Sequence, residues 1–341
     1  MIKPNKEQLR DFILHKVTDH PGDITAITAA HFNITRQAAH RHLALLIKEG
    51  LLKAEGTTRN RKYSLRPIVD RTITLAVQNL AEDKVWREHV APLLTGVPDN
   101  VFKLCHYGFT EMVNNVIDHS EGDELTITVA LTAVNIDIAV KDNGVGIFNK
   151  IQKACSLDDP LHALAELSKG KLTTDPKRHS GEGIFFTSRM FDFFMIRSGN
   201  IVFAHLVDSD FLLDSEASHL QGTKIIMRIY LASKRTTQAV FDAFTVDNAF
   251  GFDKTIVPVF LSAYGDENLV SRSQAKRLLA RFEVFKEIML DFTKVDSIGQ
   301  AFADEVFRVF ADEHPDIKLV PFRASEQIEN MIKHVTANTE G

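Results

Sequence analysis

The sequence predicts a multidomain α/β protein, because three regions with different patterning follow one another along its 341 residues. The first region reads as short helices followed by two short strands. A long helix, alternating strands and glycine-rich connections occupy the middle, and strands alternate with helices after about residue 254. Such alternation is typical of parallel strand pairing. At roughly 100–200 residues per domain, the length fits two or three domains.

The overall composition is that of an ordinary globular protein. Apolar residues make up 44% of the chain and charged residues 25%, which is usual for this class. We find no N-terminal apolar signal core and no apolar run of about 18 residues. The only cysteines, Cys105 and Cys155, do not form a disulfide framework or a metal-type spacing. We therefore expect a cytoplasmic protein that does not enter membranes.

Charge is distributed unevenly between the N-terminal region and the rest of the chain. Residues 1–66 contain 12 Lys and Arg against 6 Asp and Glu, whereas the remainder contains 28 against 39. A basic region attached to an acidic body indicates a local site for a polyanion.

Three helices and two short strands are predicted for this basic region. Their expected bounds are 6–18, 25–31 and 36–49 for the helices, and 51–54 and 62–65 for the strands. Thr35 is placed to cap the third helix, and Gly50 is placed to end it. The strands enclose a turn-rich basic loop. Over residues 1–68 this arrangement resembles the winged helix-turn-helix of transcriptional regulators.

The resemblance implies that the third helix and the basic loop bind DNA. In helix-turn-helix proteins the second helix of the pair lies in the major groove and reads bases from its N-terminal part. The residues expected to contact DNA are Arg36, Gln37, His40, Arg41, Arg59, Arg61 and Lys62. Phosphate contacts would supply much of the affinity. The same fold also serves protein contacts or dimerisation, and this alternative stays open.

A helical linker is predicted for residues 69–96, and Pro92 and Pro98 mark its end. The next domain is expected to cover residues 97–235. It begins with a half-buried helix over residues 99–119, in which apolar residues recur at helical spacing.

Three short motifs follow one another in this domain. They are Glu111-x-x-x-Asn115-x-x-x-His119 on the long helix, Asp142-x-Gly144-x-Gly146 after two alternating strands, and Gly181-x-Gly183 at the start of a later helix. Each motif alone is common. In this order they resemble the N, G1 and G2 boxes of the GHKL ATPase superfamily, and the G2 run is closest to that of the anti-sigma serine kinases. The expected fold is the α/β-sandwich ATPase fold of the Bergerat type.

The resemblance implies that this domain binds ATP with Mg²⁺. Asn115 would give its amide oxygen to the ion, with Asn114 as the rival ligand by helical register. Glu111, one turn earlier, would orient or deprotonate the group that attacks the γ-phosphate. Asp142 would accept a hydrogen bond from the adenine amino group. Further nucleotide contacts are expected from Asp118, His119, Gly144, Gly146, Lys171, Arg178, Ser180, Gly181, Gly183 and Thr223.

Residues 148–180 form a long segment in which one short helix is predicted, over about 161–167. Long irregular segments inside compact domains are often lids, and the superfamily has its mobile ATP lid at this place. The cations between Lys169 and Arg178 would meet the triphosphate charge; a solvated loop is the alternative. Glycines at the start of the helix that follows would expose backbone N–H groups to phosphate.

The last region, residues 250–341, resembles a small STAS-like α/β domain. The run Ile288-Met-Leu-Asp291-Phe-Thr-Lys-Val-Asp296-Ser297-Ile298-Gly299 is similar to the central strand and loop of that family. The phosphorylated serine of the family directly precedes the glycine. Here that place holds Ile298, and Ser297 lies one residue earlier. We therefore expect an interaction or dimerisation module, with phosphorylation of Ser297 as the alternative.

Taken together, these regions predict a DNA-binding regulator whose domain arrangement is controlled by binding or hydrolysis of Mg-ATP. One alternative is a protein serine/threonine kinase of the anti-sigma type that acts on a STAS-like partner or on itself. Another is a nucleotide sensor without catalysis. The expected partners are DNA, a protein bound through the C-terminal domain, and further copies of the chain in a homo-oligomer.

Overall fold

The structure is a computed structural model with mixed α/β architecture. It describes residues 5–57, 60–157, 162–172, 181–206, 209–214, 219–246, 251–263 and 268–337. The strands within these ranges form sheets of two, seven and three strands. They divide the chain into an N-terminal region, a central domain and a C-terminal domain.

The N-terminal region contains the three helices and two strands predicted from the sequence. They are α1 (Lys6–Lys16), α2 (Ile24–His31), α3 (Arg36–Lys48), β1 (Leu52–Glu55) and β2 (Lys62–Leu65). The Thr35 hydroxyl accepts a hydrogen bond from the Ala38 N–H at 3.2 Å and so caps α3. Apolar residues such as Ile13 and Leu43 form the core of this region, which also includes Val134 of the central domain. The N-terminal region therefore packs directly against the central domain.

A seven-stranded antiparallel sheet forms the centre of the molecule. Its strands are β3 (Val69–Ala76), β4 (Glu124–Leu131), β5 (Asn135–Asp142), β6 (Phe193–Gly199), β7 (Ile201–Leu206), β8 (Ser209–Asp214) and β9 (Leu220–Tyr230). Their order is β3-β4-β5-β9-β6-β7-β8. Along β4, Leu125, Ile127 and Val129 are buried whereas the residues between them are partly exposed. This period of two shows that only one face of the sheet is fully covered.

Helices cover that buried face. They are α5 (Asp99–His119), α6 (Ile147–Ala154), α7 (His162–Lys169), α8 (Gly183–Met190) and α9 (Thr237–Asp242). The helix α5 has the bounds that its sequence predicts, and its stripe of Phe109, Met112, Val113 and Val116 is buried. This stripe fixes the rotation of α5, so that the residues between its members face away from the centre of the core.

The helical linker predicted for residues 69–96 is wrong over its first part. Residues Val69–Ala76 form the edge strand β3, which pairs antiparallel with β4. Its β-branched residues favour a strand, and Thr72 and Thr74 lie opposite threonines of β4 at hydroxyl distances of 3.1 and 3.3 Å. The helical part is limited to α4 (Glu82–Val85), a π-helical turn (Trp86–Val90) and a 3₁₀ turn (Ala91–Leu94). The central domain thus begins at β3, before the predicted boundary at residue 97.

The long segment after Gly146 also differs from its prediction, because it contains α6 in addition to the expected helix. Phe148 and Ile151 of α6 are buried, and their spacing of three residues suits one helical face. Every residue of α7 is buried, so this part of the segment is a packed wall.

The C-terminal domain has the predicted strand–helix alternation. Its elements are β10 (Lys254–Pro258), a 3₁₀ turn (Val259–Ser262), α10 (Arg272–Leu279), a 3₁₀ turn (Phe282–Val284), β11 (Glu287–Asp291), α11 (Gln300–Asp304), a π-helical turn (Glu305–Val309), α12 (Phe310–Glu313), β12 (Lys318–Phe322) and α13 (Glu326–Ala337). The three strands pair parallel, as predicted, in the order β10-β11-β12. Across the described ranges, no helix has the length and apolar character that crossing a membrane requires.

Candidate functional site

A cavity of about 310 Å³ lies on the covered face of the central sheet, between α5, α6, α7 and α8. Eight residues predicted from the sequence line it: Glu111, Asn115, His119, Asp142, Gly146, Gly181, Gly183 and Thr223. The three motifs therefore meet in one place, although more than 70 residues separate the first from the last.

The helix α5 presents one polar face to this cavity. Glu111, Asn115 and His119 are spaced by four residues, so they lie one above another on the helix surface. The side-chain Nδ2 of Asn115 is buried and has no hydrogen-bond partner among the described residues. A buried amide without a partner costs free energy, which marks this wall as a place for a ligand. Asn114 also lines the cavity, so both asparagines stay candidates for the magnesium ligand.

The Glu111 carboxylate lies against the first residue of α8. A Cβ atom added at Gly183 would collide with Oε2 of Glu111. Glycine at this position therefore lets the carboxylate approach the start of the helix, where backbone N–H groups have no intrahelical acceptor. The first and the last of the three motifs are in direct contact through this pair.

Asp142 is held at the floor of the cavity and is only 5% exposed. Its Oδ1 accepts hydrogen bonds from the backbone N–H groups of Gly144 at 2.8 Å and of Thr223 at 3.2 Å. Burial raises the pKa of this carboxyl, and the two N–H donors oppose the rise. Thr223 in turn accepts a hydrogen bond from Ile147 N–H at 3.0 Å. Asp142 therefore joins β5, β9 and the start of α6.

Gly144 is needed beneath the cavity rather than in its wall. A Cβ atom at this position would collide with the carbonyl oxygen of Ser120, at the end of α5. The loop after β5 can pack against α5 only because this side chain is absent. Gly144 thus fixes the distance between Asp142 and the polar face of α5.

Two other residues predicted to contact the nucleotide lie outside the cavity wall. Asp118 is exposed on α5. Lys171 points to the C-terminal domain: its Nζ donates to the carbonyl oxygen of Val284 at 2.9 Å and lies 5.0 Å from the ring centre of Phe285. In this structure a carbonyl and an aromatic face hold the charge of Lys171 away from the cavity, and its contact with a nucleotide stays a prediction. Arg178 and Ser180 are outside the described residues.

Lys150 lines the cavity and was not predicted from the sequence. Its Nζ donates to the carbonyl oxygen of His119 at 2.7 Å and to Oε1 of Glu121 at 3.0 Å. A helix beginning at Ile147 would have placed Lys150 beside the end of α5, but no helix was predicted there. The amphipathic spacing of Phe148 and Ile151 was the available signal.

The wall formed by α7 is clamped to the C-terminal domain by an ion cluster, which consists of Glu166, Lys169 and Arg281. The Lys169 side chain is fully buried, and its Nζ lies 2.6 Å from Oε1 of Glu166 and donates to the carbonyl oxygen of Ala280 at 2.8 Å. Arg281 binds the second oxygen of Glu166 at 3.0 Å. Burial lowers the pKa of Lys169, and the adjacent Glu166 carboxylate opposes this effect. Each charge of the cluster thus has a partner.

Aromatic packing connects the helix α8 to the same domain. Phe185, which lines the cavity, lies 4.5 Å from Phe252 between ring centres, and Phe252 lies 5.4 Å from Phe285. These separations are those of favourable ring pairs. Two walls of the cavity therefore rest on the C-terminal domain.

The residues predicted to contact DNA lie on the surface of the N-terminal region. Arg36, Gln37, His40 and Arg41 are all exposed on α3, and Lys62 is exposed on β2. Arg61 is partly exposed and lies over the ring of Tyr63, 5.5 Å from its centre. The structure does not describe Arg59. The remaining six residues offer an accessible surface that includes four cations, Arg36, Arg41, Arg61 and Lys62.

Comparison with known families identifies part of the C-terminal domain. Residues 274–329 match the STAS-like domain of unknown function (DUF4325). No curated protein matches the chain. The match begins within α10, ends within α13, and includes the Ile288–Gly299 segment on which the resemblance was based. The predicted STAS-like domain at the C-terminal end is thereby confirmed.

Proposed function

We propose that this protein is an ATP-binding and DNA-binding transcriptional regulator with a GHKL-type central domain. The observation that carries the proposal is the convergence of Glu111, Asn115 and Asp142 on one cavity. The motif that resembles the N box supplies Glu111 and Asn115, and the motif that resembles the G1 box supplies Asp142. The motif that resembles the G2 box supplies glycines of the cavity wall. The cavity volume, about 310 Å³, lies at the lower end of the ~300–1,000 Å³ usual for small-ligand sites.

The cavity has a polar group for each end of a nucleotide. Asp142 is buried at the floor, where its carboxylate would accept a hydrogen bond from the adenine amino group. Gly181 and Gly183 lie at the start of α8, and a helix N-terminus favours phosphate through its N–H groups and dipole. Lys150 adds a cation to the wall. We propose this orientation, with the base at β5 and the phosphates at α8.

The residues of the cavity fit a magnesium ion bound together with the nucleotide. Asn115 places its side-chain amide in the cavity wall, where its Oδ1 is the atom that could ligate the ion. Its buried Nδ2, a donor without a partner among the described residues, would meet an acceptor such as a phosphate oxygen. Among the described residues no cluster of three His, Cys, Asp or Glu side chains is placed to hold a metal. Mg²⁺ commonly takes few protein ligands and completes its shell with phosphate oxygens and water. Asn115 would hold the ion, which would neutralise phosphate charge.

Glu111→Ala is expected to leave ATP affinity within a few-fold of wild type and to reduce turnover by roughly 10²–10⁴-fold, the contribution of a general base. The reason is that Glu111 lies at the start of α8, where the γ-phosphate and its attacking group would meet, and not at the base-binding floor. Phosphate release with and without DNA, together with calorimetric ATP binding, checks both parts. Full turnover in the variant would show that Glu111 is not the base.

Affinity for DNA is expected to differ between nucleotide states by about 5- to 150-fold, the range of ordinary allosteric coupling. The physical reason is that the N-terminal region and the C-terminal domain both pack on the central domain. A closure of the central domain around ATP would therefore change the surfaces against which they pack. Fluorescence anisotropy of a 40-base-pair duplex, with and without Mg-ATP, measures this difference; Glu111→Ala holds the nucleotide unhydrolysed. Affinity should also fall steeply with salt.

The matched control for this coupling is Asp142→Asn, which we expect not to bind ATP. In that variant Mg-ATP should not change the affinity for the duplex. Equal affinities of wild-type protein in both nucleotide states would remove the coupling from the proposal and leave the two binding activities unconnected.

A second candidate function is a serine/threonine kinase, and the STAS-like domain in the same chain favours it. The anti-sigma kinases, which the central motifs resemble, act on such domains, and Ser297 is half-buried three residues before the start of α11. Incubation with labelled ATP followed by mass spectrometry separates the two functions. A phosphoserine on this chain supports the kinase, whereas phosphate release without modification supports the regulator. Binding without turnover would indicate a sensor.

A further inference from the structure

Three cations lie side by side on the face of the central sheet that is opposite to the helices α5 to α9. We call Lys141, Lys224 and Arg197 the basic row. Lys224 on β9 is directly opposite Lys141 on β5 and directly opposite Arg197 on β6. The chain neighbours of each member, such as Val140 and Ile225, are buried, whereas the members themselves are exposed or partly exposed. Because side chains alternate along a strand, all three point to the open face.

The row concentrates positive charge in a way that is unfavourable for the isolated protein. Like charges directly opposite each other on neighbouring strands are destabilising. Within the described ranges, Lys141 and Lys224 form no ion pair. Arg228, four residues along β9 on the same face, differs: its guanidinium is bound to Asp137 at 2.6 Å. On the open face, Asp137 thus neutralises Arg228, whereas the two lysines of the row could bind an external anion.

The N-terminal region borders the same face of the sheet. The ring of His15 lies 5.8 Å from that of Tyr230, at the end of β9, and the charge of Asp19 acts on Arg228. Four residues of a strand span about 13 Å, so Lys224 lies at roughly this distance from Arg228. A polyanion bound by the basic N-terminal region therefore needs to extend only a short distance along the sheet to contact the row.

The same strand positions connect the row to the cavity. Lys141 directly precedes Asp142, and Lys224 directly follows Thr223; Asp142 and Thr223 both line the cavity. An anion on the row would lie on one side of these strands and the nucleotide on the other. One thickness of sheet would separate the two ligands.

We propose that the basic row binds the phosphate backbone of the DNA held by the N-terminal region. The inference rests on the proposed DNA-binding function and extends its surface to the central domain. Two strand spacings of about 4.8 Å make the row about 10 Å long. With one phosphate of each strand per ~3.4 Å of DNA helix axis, this length corresponds to two or three phosphates. Among anionic partners we favour DNA, because the N-terminal region that adjoins the row is also basic and a long polyanion would contact both surfaces. Binding of an acidic protein segment to the row would not require a basic N-terminal region.

The test uses the full chain and a 40-base-pair mixed-sequence duplex, with anisotropy measured at several NaCl concentrations. The variant Lys141→Gln/Lys224→Gln/Arg197→Gln is expected to bind more weakly at low salt. Its slope of log K against log salt should be less negative than that of wild type by about 2–3, since each neutralised phosphate contributes roughly 0.9. A charge-preserving variant, Lys141→Arg/Lys224→Arg/Arg197→Lys, should keep the wild-type slope.

A control of equal charge change removes exposed lysines far from the row, Lys103, Lys276 and Lys333, whose side chains are 65–74% exposed. This triple Gln variant should keep the wild-type slope. The inference is overturned if the row variant behaves like this control while wild type binds the duplex. If wild type does not bind DNA at all, the proposed DNA function fails and the inference with it. Thermal unfolding without DNA verifies folding, and the row variant should melt no lower than wild type.

Discussion

Asp142→Asn is expected to remove measurable ATP binding, with a loss of at least about 3 kcal/mol, or more than 100-fold in Kd. Both backbone donors, Gly144 N–H and Thr223 N–H, bind the same oxygen, Oδ1. In the variant the amide oxygen would keep these donors, which places the Nδ2 group where the second carboxylate oxygen was. An N–H donor would then face the adenine amino group, which is also a donor. Isothermal titration calorimetry with Mg-ATP measures the loss.

The variant should still fold, because Asn can accept the two backbone hydrogen bonds. Burial raises the pKa of Asp142, so replacing the carboxylate by a neutral amide removes a charge that the folded state disfavours. Inosine triphosphate provides the matched control, since its O6 atom is an acceptor that suits an amide N–H. The variant should therefore bind inosine triphosphate better than ATP. Unchanged ATP affinity would mean that Asp142 does not read the base.

The motif residues were predictable because short-range rules place them. The spacing of Glu111, Asn115 and His119 by four puts them on one helix face wherever that helix packs. The apolar stripe between them determines which face is buried, and the structure gives α5 its predicted bounds, Asp99–His119. Asp142 is the last residue of β5, whose alternating pattern directs it to the covered side of the sheet. Local patterning was sufficient for these residues.

Residues whose placement depends on distant parts of the chain were missed. The strand β3 forms only because β4, about 55 residues later, offers an edge, and a short alternating run was mistaken for part of a helix. Lys171 was assigned to the nucleotide from its position in a cationic stretch. In this structure its side chain contacts Val284 and Phe285, more than 110 residues away. Charge pattern alone does not show which acceptor a lysine reaches.

The buried ion cluster at the C-terminal domain is another long-range feature, and it supports the second prediction. Lys169→Met is expected to lower the free energy of unfolding by about 3–5 kcal/mol, the usual cost of removing one partner of a buried ion pair. Glu166, whose side chain is 6% exposed, would retain only Arg281. The Ala280 carbonyl near the end of α10 would lose a donor. Denaturant unfolding followed by circular dichroism measures the change. The matched control is Lys276→Met at an exposed site of α10, whose free energy of unfolding should stay within ~0.5 kcal/mol of wild type.

The double variant Lys169→Met/Glu166→Leu separates a charge effect from a packing effect. If the cost of Lys169→Met comes from an unpaired carboxylate, removing that carboxylate should restore most of the stability, because apolar replacements of buried ion pairs are often neutral. If the double variant is as unstable as the single one, lost packing and the lost bond to Ala280 explain the effect. Leu167 and Leu172 line the cavity on either side of Lys169. Loosening this clamp should therefore also weaken ATP binding, and the restored double variant should regain affinity together with stability.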